Sequence, residues 1–382
     1  MGVWFSASAV VPALSAAWGL NDSGRAWLTN SVQIGFVVGA FGSAVLNLAD
    51  RVSSRALLTV SCLLAALMTV LIPLAAHDLG MALVFRFLTG VVLAGVYPVG
   101  MKIIATWTRA DRGLGIGFLV GALALGKAAP HLLKTFGGGA DWRPVLYMSG
   151  GLAALGGAIA WFFVREGPDR VKTPPFNARY VLEILRRREL VLANLGYLGH
   201  MWELYAMWTW MPAFLLASFA ASGLGTTAAG LAAFLMIASG AIGSFLAGRL
   251  ADRWGRTSLT ILAMAVSGAC ALTIGFLYGR SPVLLLFVSV IWGITVVADS
   301  AQFSACITEL CRPEYTGTAL TLQTSLGFLL TMVTIGLVPT IQEHSGWRWA
   351  FLLLAIGPVV GIWAMARLRG LPEALRIAGG RR

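Results

Sequence analysis

Apolar stretches follow one another along nearly the whole chain, and short polar segments separate them. Each stretch has about the 20 residues that a helix needs to cross a bilayer. Only 12% of the 382 residues are charged, whereas a soluble domain carries about 25%. So few charges cannot cover a water-soluble globule of this size, and most of the surface must therefore face lipid. The sequence predicts an integral membrane protein.

The apolar runs predict an all-α, polytopic fold with twelve transmembrane helices. Six are expected near residues 3–20, 26–48, 56–76, 80–105, 114–135 and 144–164. Six more are expected near residues 190–218, 226–248, 258–279, 283–308, 316–341 and 348–368. The first run begins almost at Met1, so we expect its helix either to be short or to start further upstream.

The polar segments between the runs repeat at a nearly constant spacing. Asp50-Arg51 recurs as Asp252-Arg253, 202 residues later, and Trp142-Arg143 recurs as Trp347-Arg348, 205 residues later. A constant spacing of this kind indicates duplication of a six-helix unit. The sequence therefore predicts two pseudo-symmetric halves, with the domains divided as 1–164 (N-terminal half), 165–189 (linker), 190–368 (C-terminal half) and 369–382 (tail).

Lysine and arginine set the expected orientation. Twenty of them lie in the even-to-odd connections and the C-terminal tail, and five lie in the odd-to-even connections. Cytoplasmic loops carry the excess of Lys and Arg. We therefore expect a multi-pass protein of the plasma membrane with both termini and the linker in the cytoplasm. The same scatter of basic residues argues against nucleic acid as a partner.

Three motifs carry a family resemblance. Residues 248–256 read Gly-Arg-Leu-Ala-Asp-Arg-Trp-Gly-Arg, residues 46–55 hold a copy without the glycines, and Arg86 precedes Gly90 by four positions. These segments resemble the loop and helix-4 motifs of the major facilitator superfamily. The resemblance implies a secondary active transporter that works by alternating access between its halves. It also implies that the loops, through Asp50, Arg51, Asp252, Arg253 and Arg256, latch the halves on the cytoplasmic side.

Ionisable residues inside the predicted spans are the functional candidates, because a charge inside a membrane is costly. They are Arg86, Lys102, Lys127, His200, Glu203 and Asp299. His200 and Glu203 are three residues apart, so they are expected to share a helix face. A buried carboxyl that exchanges a proton as access changes would couple transport to protons. The alternative is a hydrogen-bonded pair that only ties helices together.

Lys127 and Arg86 are expected at similar depth in the outer half of one cavity, where two cations would favour an anion. We expect Tyr197, Trp202 and Tyr205 to line the same substrate site. Neutralisation of Lys127 by Glu203 is the alternative for the lysine. Trp202 and the neighbouring tryptophans are equally consistent with anchors at the membrane interface.

Lys102 and Asp299 are expected in the inner half, on helices 4 and 10, which the repeat makes equivalent. Equivalent helices of two rocking halves can meet across the pseudo-two-fold axis. The pair is therefore predicted to form a cytoplasmic gate. The alternative is that Lys102 extends to lipid headgroups and Asp299 bonds locally, through Ser300 or Gln302.

The most consistent function is proton-coupled transport of a small anion, organic or otherwise, by a monomer whose partners are the substrate, protons and the lipid bilayer. One alternative is a proton-driven exporter of amphipathic cations that uses Glu203 and Asp299. Another is a sensor with the fold of a transporter. An enzyme is not expected, since the sequence shows no nucleophile–base set and no metal-ligand cluster. No cofactor is expected.

Overall fold

The structure is a computed structural model that describes residues 1–107, 112–137, 141–168 and 177–382. The side chains of residues 49, 50, 105, 112–114 and 137 also lie outside this description. Within the described ranges all regular secondary structure is helical, as the sequence predicted.

The helices are numbered in chain order. The N-terminal part contains α1 (Gly2–Ala9), α2 (Val11–Trp18), α3 (Asp22–Val45), α4 (Leu48–Arg51), α5 (Ser54–Ala75), α6 (Leu79–Leu93), α7 (Tyr97–Trp107), α8 (Arg112–Gly137) and α9 (Arg143–Phe163). The C-terminal part contains α10 (Arg179–Arg186), α11 (Arg188–Ala221), α12 (Thr226–Trp254), α13 (Arg256–Thr273), α14 (Pro282–Ala298), α15 (Ser300–Leu310), α16 (Thr316–Ser345), α17 (Trp347–Ala350) and α18 (Ile356–Arg369). Short 3₁₀ segments span Ile274–Leu277, Pro313–Tyr315, Leu352–Ala355 and Pro372–Gly380.

Eleven helical segments of the described chain are long and apolar enough to cross a membrane. The first of the twelve predicted spans is the exception, because Val10 divides it into α1 and α2 with a backbone at φ −110° and ψ 13°. Pro12 follows in the first turn of α2, where its missing N–H costs nothing. Large apolar side chains such as Phe163 and Val283 are 78% exposed. Such a surface suits contact with lipid.

Two spans are broken at corresponding places of the repeat. The fourth span is interrupted at residues 94–96, between α6 and α7, and Pro98 lies in the first turn after the break. The tenth span is interrupted at Asp299, between α14 and α15. Broken helices at equivalent positions of two repeats are typical of substrate and ion sites in transporters. Both breaks border the cavity described below.

Glycines bring the helices of each half into backbone contact. A Cβ on Gly35 of α3 would collide with the carbonyl of Phe87, and one on Gly90 of α6 would collide with the carbonyl of Val32. The C-terminal part repeats the arrangement, since a Cβ on Gly243 of α12 would collide with the carbonyl of Ile294 in α14. Small residues permit this close approach in membranes. Between the two parts, α8 packs on α12 and α3 packs on α16.

Candidate functional site

A cavity of about 80 Å³ lies between the N-terminal and the C-terminal parts of the chain. Its walls come from α1, α3, α7 and α8 on one side and from α11, α14, α15 and α16 on the other. The lining includes Trp4, Phe36, Tyr97, Lys127, Tyr197, His200, Tyr205, Trp208, Ser300 and Phe328. Aromatic residues thus make up a large share of the lining, and two lining side chains, Lys127 and His200, can carry positive charge.

Lys127 sits in a cage of aromatic rings. Its Nζ lies 4.2 Å from the ring centroids of both Tyr205 and Trp208, 5.3 Å from that of Trp4 and 5.8 Å from that of Phe5. Nζ also donates a 2.6 Å hydrogen bond to the hydroxyl of Tyr205. The side chain is 1% exposed. Among the described residues no carboxylate forms an ion pair with it, so the predicted neutralisation by Glu203 does not occur in this structure.

Arg86 does not line the cavity, contrary to the expectation that it accompanies Lys127 there. The side chain is fully buried, and its guanidinium donates to the backbone carbonyls of Leu28 at 3.0 Å, Val3 at 2.7 Å and Trp4. Each of its three guanidinium nitrogens donates to a backbone carbonyl. Arg86 ties α1 and α3 to α6, and in doing so it fixes the backbone that carries Trp4.

His200 faces Asp299 and Ser300 rather than Glu203. Its Nδ1 lies 2.8 Å from Oδ1 of Asp299, and its Nε2 lies 2.7 Å from the hydroxyl of Ser300. Asp299 and Ser300 both sit at the break between α14 and α15. His200 and Ser300 line the cavity, so this buried pair of ionisable groups adjoins the same space as Lys127.

Glu203 points away from the cavity, toward α13 and α14. Its carboxylate accepts hydrogen bonds from the indole of Trp292 at 2.6 Å and from the hydroxyl of Ser267 at 2.9 Å. The alternative of a hydrogen-bonded His200–Glu203 pair does not occur among the contacts of the described residues. Three residues advance an α-helix by about 300°, which leaves two side chains about 60° apart around the axis. Here that angle directs His200 toward α15 and Glu203 toward α13 and α14.

The predicted pairing of Lys102 with Asp299 is absent from the ion pairs of the described residues. Lys102 is half-buried on α7, and Asp299 is buried against His200. The structure therefore groups Asp299 with the cavity, and a gate that includes it stays a prediction.

Of the three aromatic residues predicted to line the site, Tyr197 and Tyr205 border the cavity. Trp202 does not, because its indole N–H donates to the carbonyl of Leu353 at 2.9 Å on the side of α18. Several lining residues were not anticipated, namely Trp4, Phe36, Tyr97, Trp208, Ser300 and Phe328. Pro98 inside the fourth apolar run was the available signal for Tyr97, since proline breaks a helix.

The loop motif of the C-terminal part forms a charged network. Arg256 donates to both carboxylate oxygens of Glu309 at 2.8–3.1 Å and to the amide oxygen of Gln302 at 2.7 Å. It also lies 3.4 Å from the carboxylate of Asp252. Arg253 is exposed, as is Arg51 in the N-terminal copy. The side chain of Asp50 lies outside the described residues, so the proposed latch stays a prediction there.

The sequence profile of the Major Facilitator Superfamily matches residues 1–335 and 214–381. The chain belongs to the Major Facilitator Superfamily. It is 25% identical to a probable 4-methylmuconolactone transporter of Cupriavidus pinatubonensis, over 95% of this chain and 86% of that one. It is 22% identical to a niacin transporter of Acinetobacter baylyi, over 74% of this chain and 70% of that one.

A solved member of the superfamily shares the fold. The chain superposes on a proton:xylose symporter with a TM-score of 0.72 at 14% sequence identity, over 96% of this chain and 93% of that one. Membership confirms the predicted fold class. It also makes this protein a membrane transporter of small solutes and not an enzyme.

Proposed function

We propose that this superfamily member carries a small organic anion across the membrane in exchange with or together with protons. The observation that carries the proposal is the ammonium group of Lys127, which is buried beside the cavity with aromatic rings and a hydroxyl as its described neighbours. Cation–π contacts stabilise such a charge only in part. An anionic substrate in the cavity would supply the missing counter-charge.

The named substrates of the relatives agree with this chemistry. Niacin and 4-methylmuconolactone, the compounds in the names of the two relatives, are both small unsaturated rings that bear one carboxylate. The shared charge supports an organic monocarboxylate as the substrate class here.

His200 and Asp299 are the proposed proton site. An imidazole beside a carboxylate can take up or release a proton without placing a lone charge in the membrane. His200 borders the same cavity as Lys127, so substrate and proton would influence each other across a short distance. The likeness to a proton:xylose symporter shows the fold alone and does not assign this step.

Export of amphipathic cations is the weaker candidate. A cation in this cavity would meet Lys127 at close range, and like charges in a region of low dielectric repel strongly. The two carboxylates that the alternative needs are both engaged, Glu203 by Trp292 and Ser267, and Asp299 by His200.

We also infer, from the distribution of Lys and Arg, a plasma-membrane location with cytoplasmic termini.

Uptake into proteoliposomes tests the proposal. We expect a pH gradient to drive accumulation of labelled nicotinate or benzoate above the level in protein-free liposomes, and a protonophore to abolish this difference. Lys127→Met should lower uptake at least tenfold, whereas Lys134→Met on the same helix, away from the cavity lining, should leave it near the parent value. Transport of tetraphenylphosphonium without transport of either anion would replace the proposal with cation export.

A further inference from the structure

Two tryptophans of the aromatic cage have indole N–H groups without an acceptor. Trp4 and Trp208 are each 1% exposed, and in the described part of the chain no oxygen or nitrogen accepts from either Nε1. A buried N–H without a partner costs free energy comparable to a lost hydrogen bond. The buried indoles of Trp210 and Trp292 show the usual arrangement, because they donate to the carbonyl of Ile335 and to the carboxylate of Glu203.

Both tryptophans with unsatisfied donors line the cavity beside Lys127. Trp4 and Trp208 both border the cavity, and both rings contact the ammonium group of Lys127. Lys127 donates one hydrogen bond to Tyr205, and an ammonium group has three N–H donors. A carboxylate can accept about four hydrogen bonds and also brings the opposite charge.

The wall next to these donors is aromatic. Phe36 and Phe328 face each other with ring centroids 4.6 Å apart, and each lies within 5.3 Å of the Trp4 ring. These phenylalanines come from α3 and α16, one from each side of the cavity. Aromatic rings favour offset or edge contacts with another flat ring.

We propose that the Trp4 and Trp208 indole N–H groups, together with Lys127, form a subsite for the carboxylate of a planar, unsaturated ring acid. Phe36 and Phe328 contact the ring of the same molecule. The inference rests on the proposed function, because it requires the substrate to be an organic anion. It adds that the site recognises the ring of the substrate as well as its charge, and that the two indoles set the specificity.

Binding of benzoate to the purified full chain, measured by titration calorimetry, tests the subsite. Trp4→Phe and Trp208→Phe remove the N–H and keep an aromatic ring, so each should weaken benzoate binding about tenfold. Trp210→Phe is the matched control: it lies on the same helix as Trp208, but its N–H serves a backbone carbonyl. That variant should lower the melting temperature and leave the affinity unchanged.

Two comparison ligands separate the parts of the inference. Cyclohexanecarboxylate has the charge without the flat ring, and benzamide has the ring without the charge; both should bind at least fivefold more weakly than benzoate.

The failures of the two proposals differ. If the parent binds neither benzoate nor an aliphatic carboxylate, the proposed anion substrate is overturned, and the subsite with it. If carboxylates bind and Lys127→Met weakens them, but both tryptophan variants keep the parent affinity, only the subsite is overturned. Equal affinity for benzoate and cyclohexanecarboxylate would overturn the assignment of the ring.

Discussion

Lys127 is the residue on which most of the functional interpretation depends. Its ammonium group occupies a cage formed by Trp4, Phe5, Tyr205 and Trp208. Proteins use such cages to bind small organic cations. Here the cage holds a cation of the protein's own, and under the proposed function this cation attracts an anionic substrate.

Removal of that charge should invert the preference of the site. We expect Lys127→Met to lose benzoate affinity and to gain measurable affinity for tetramethylammonium, because the rings then surround an uncharged side chain. Titration calorimetry with both ligands measures the change, and Lys134→Met is the control. Loss of benzoate binding without any gain for tetramethylammonium would show that the rings do not form a cation site by themselves.

The two buried carboxylates should differ in their effect on coupling. Asp299→Asn should abolish accumulation driven by a pH gradient and spare counterflow exchange, because Asp299 contacts the cavity-lining His200. Glu203→Gln should retain driven accumulation and lower thermal stability modestly, because Glu203 accepts from Trp292 and Ser267 and does not border the cavity. Both variants are compared in the same proteoliposome assay. The opposite ranking would move the proton site to Glu203, as the sequence first indicated.

At the scale of helices, the contact of α3 with α6 is a backbone contact. Gly35 and Gly90 each leave space for a carbonyl of the other helix. Glycine is therefore required at these two positions, because a Cβ added at either would collide with backbone atoms, which cannot change rotamer as a side chain can.

Gly90→Ala should destabilise the protein by about 1–3 kcal/mol, since overpacking forces the two helices apart. Gly156→Ala on α9 is the matched control, because a Cβ there meets nothing within 4 Å. Alanine favours a helix over glycine by about 1 kcal/mol, so the control should be neutral or slightly stabilising. Melting temperatures of both variants in detergent decide the comparison. An unaltered melting temperature for Gly90→Ala would mean that the helices can separate at little cost.

At the scale of the whole molecule, α8 and α12 form the most extensive contact between the N-terminal and the C-terminal parts. Gly117 of α8 lies against the carbonyl of Ser244 near one end, and Thr135 lies against Gly230 near the other. Alternating access requires two such ends to open in turn. A contact along the full length is consistent with a cavity that is closed on both sides at this interface.

Paired cysteines should report this motion in a background without the four native cysteines. The pairs G117C/S244C and T135C/G230C should both form disulfides, since the wild-type positions are close. Substrate should raise the cross-linking rate of one pair and lower that of the other, because a rocking motion that closes one end opens the other. Non-reducing gel shifts measure both rates. Parallel changes in the two pairs would argue against rocking about this interface.

The sequence by itself determined the class of the protein. The length and spacing of the apolar runs required an all-helical membrane fold, because backbone groups in lipid must be satisfied within their own segment. The spacing of Asp-Arg and Trp-Arg pairs revealed the repeat, and the loop motif indicated the superfamily. The sequence also singled out Lys127 and His200, because ionisable residues inside a membrane span are rare.

Only the tertiary structure decided which of these groups meet. His200 contacts Asp299, Glu203 accepts a hydrogen bond from Trp292, and Arg86 donates to backbone carbonyls. Rotation of a helix by a fraction of a turn leaves the apolar pattern in lipid nearly unchanged but exchanges every polar partner. Close packing between helices and breaks such as the one at Asp299 therefore decide which polar groups meet. These contacts depend on small helix rotations, which the order of residues in the sequence does not specify.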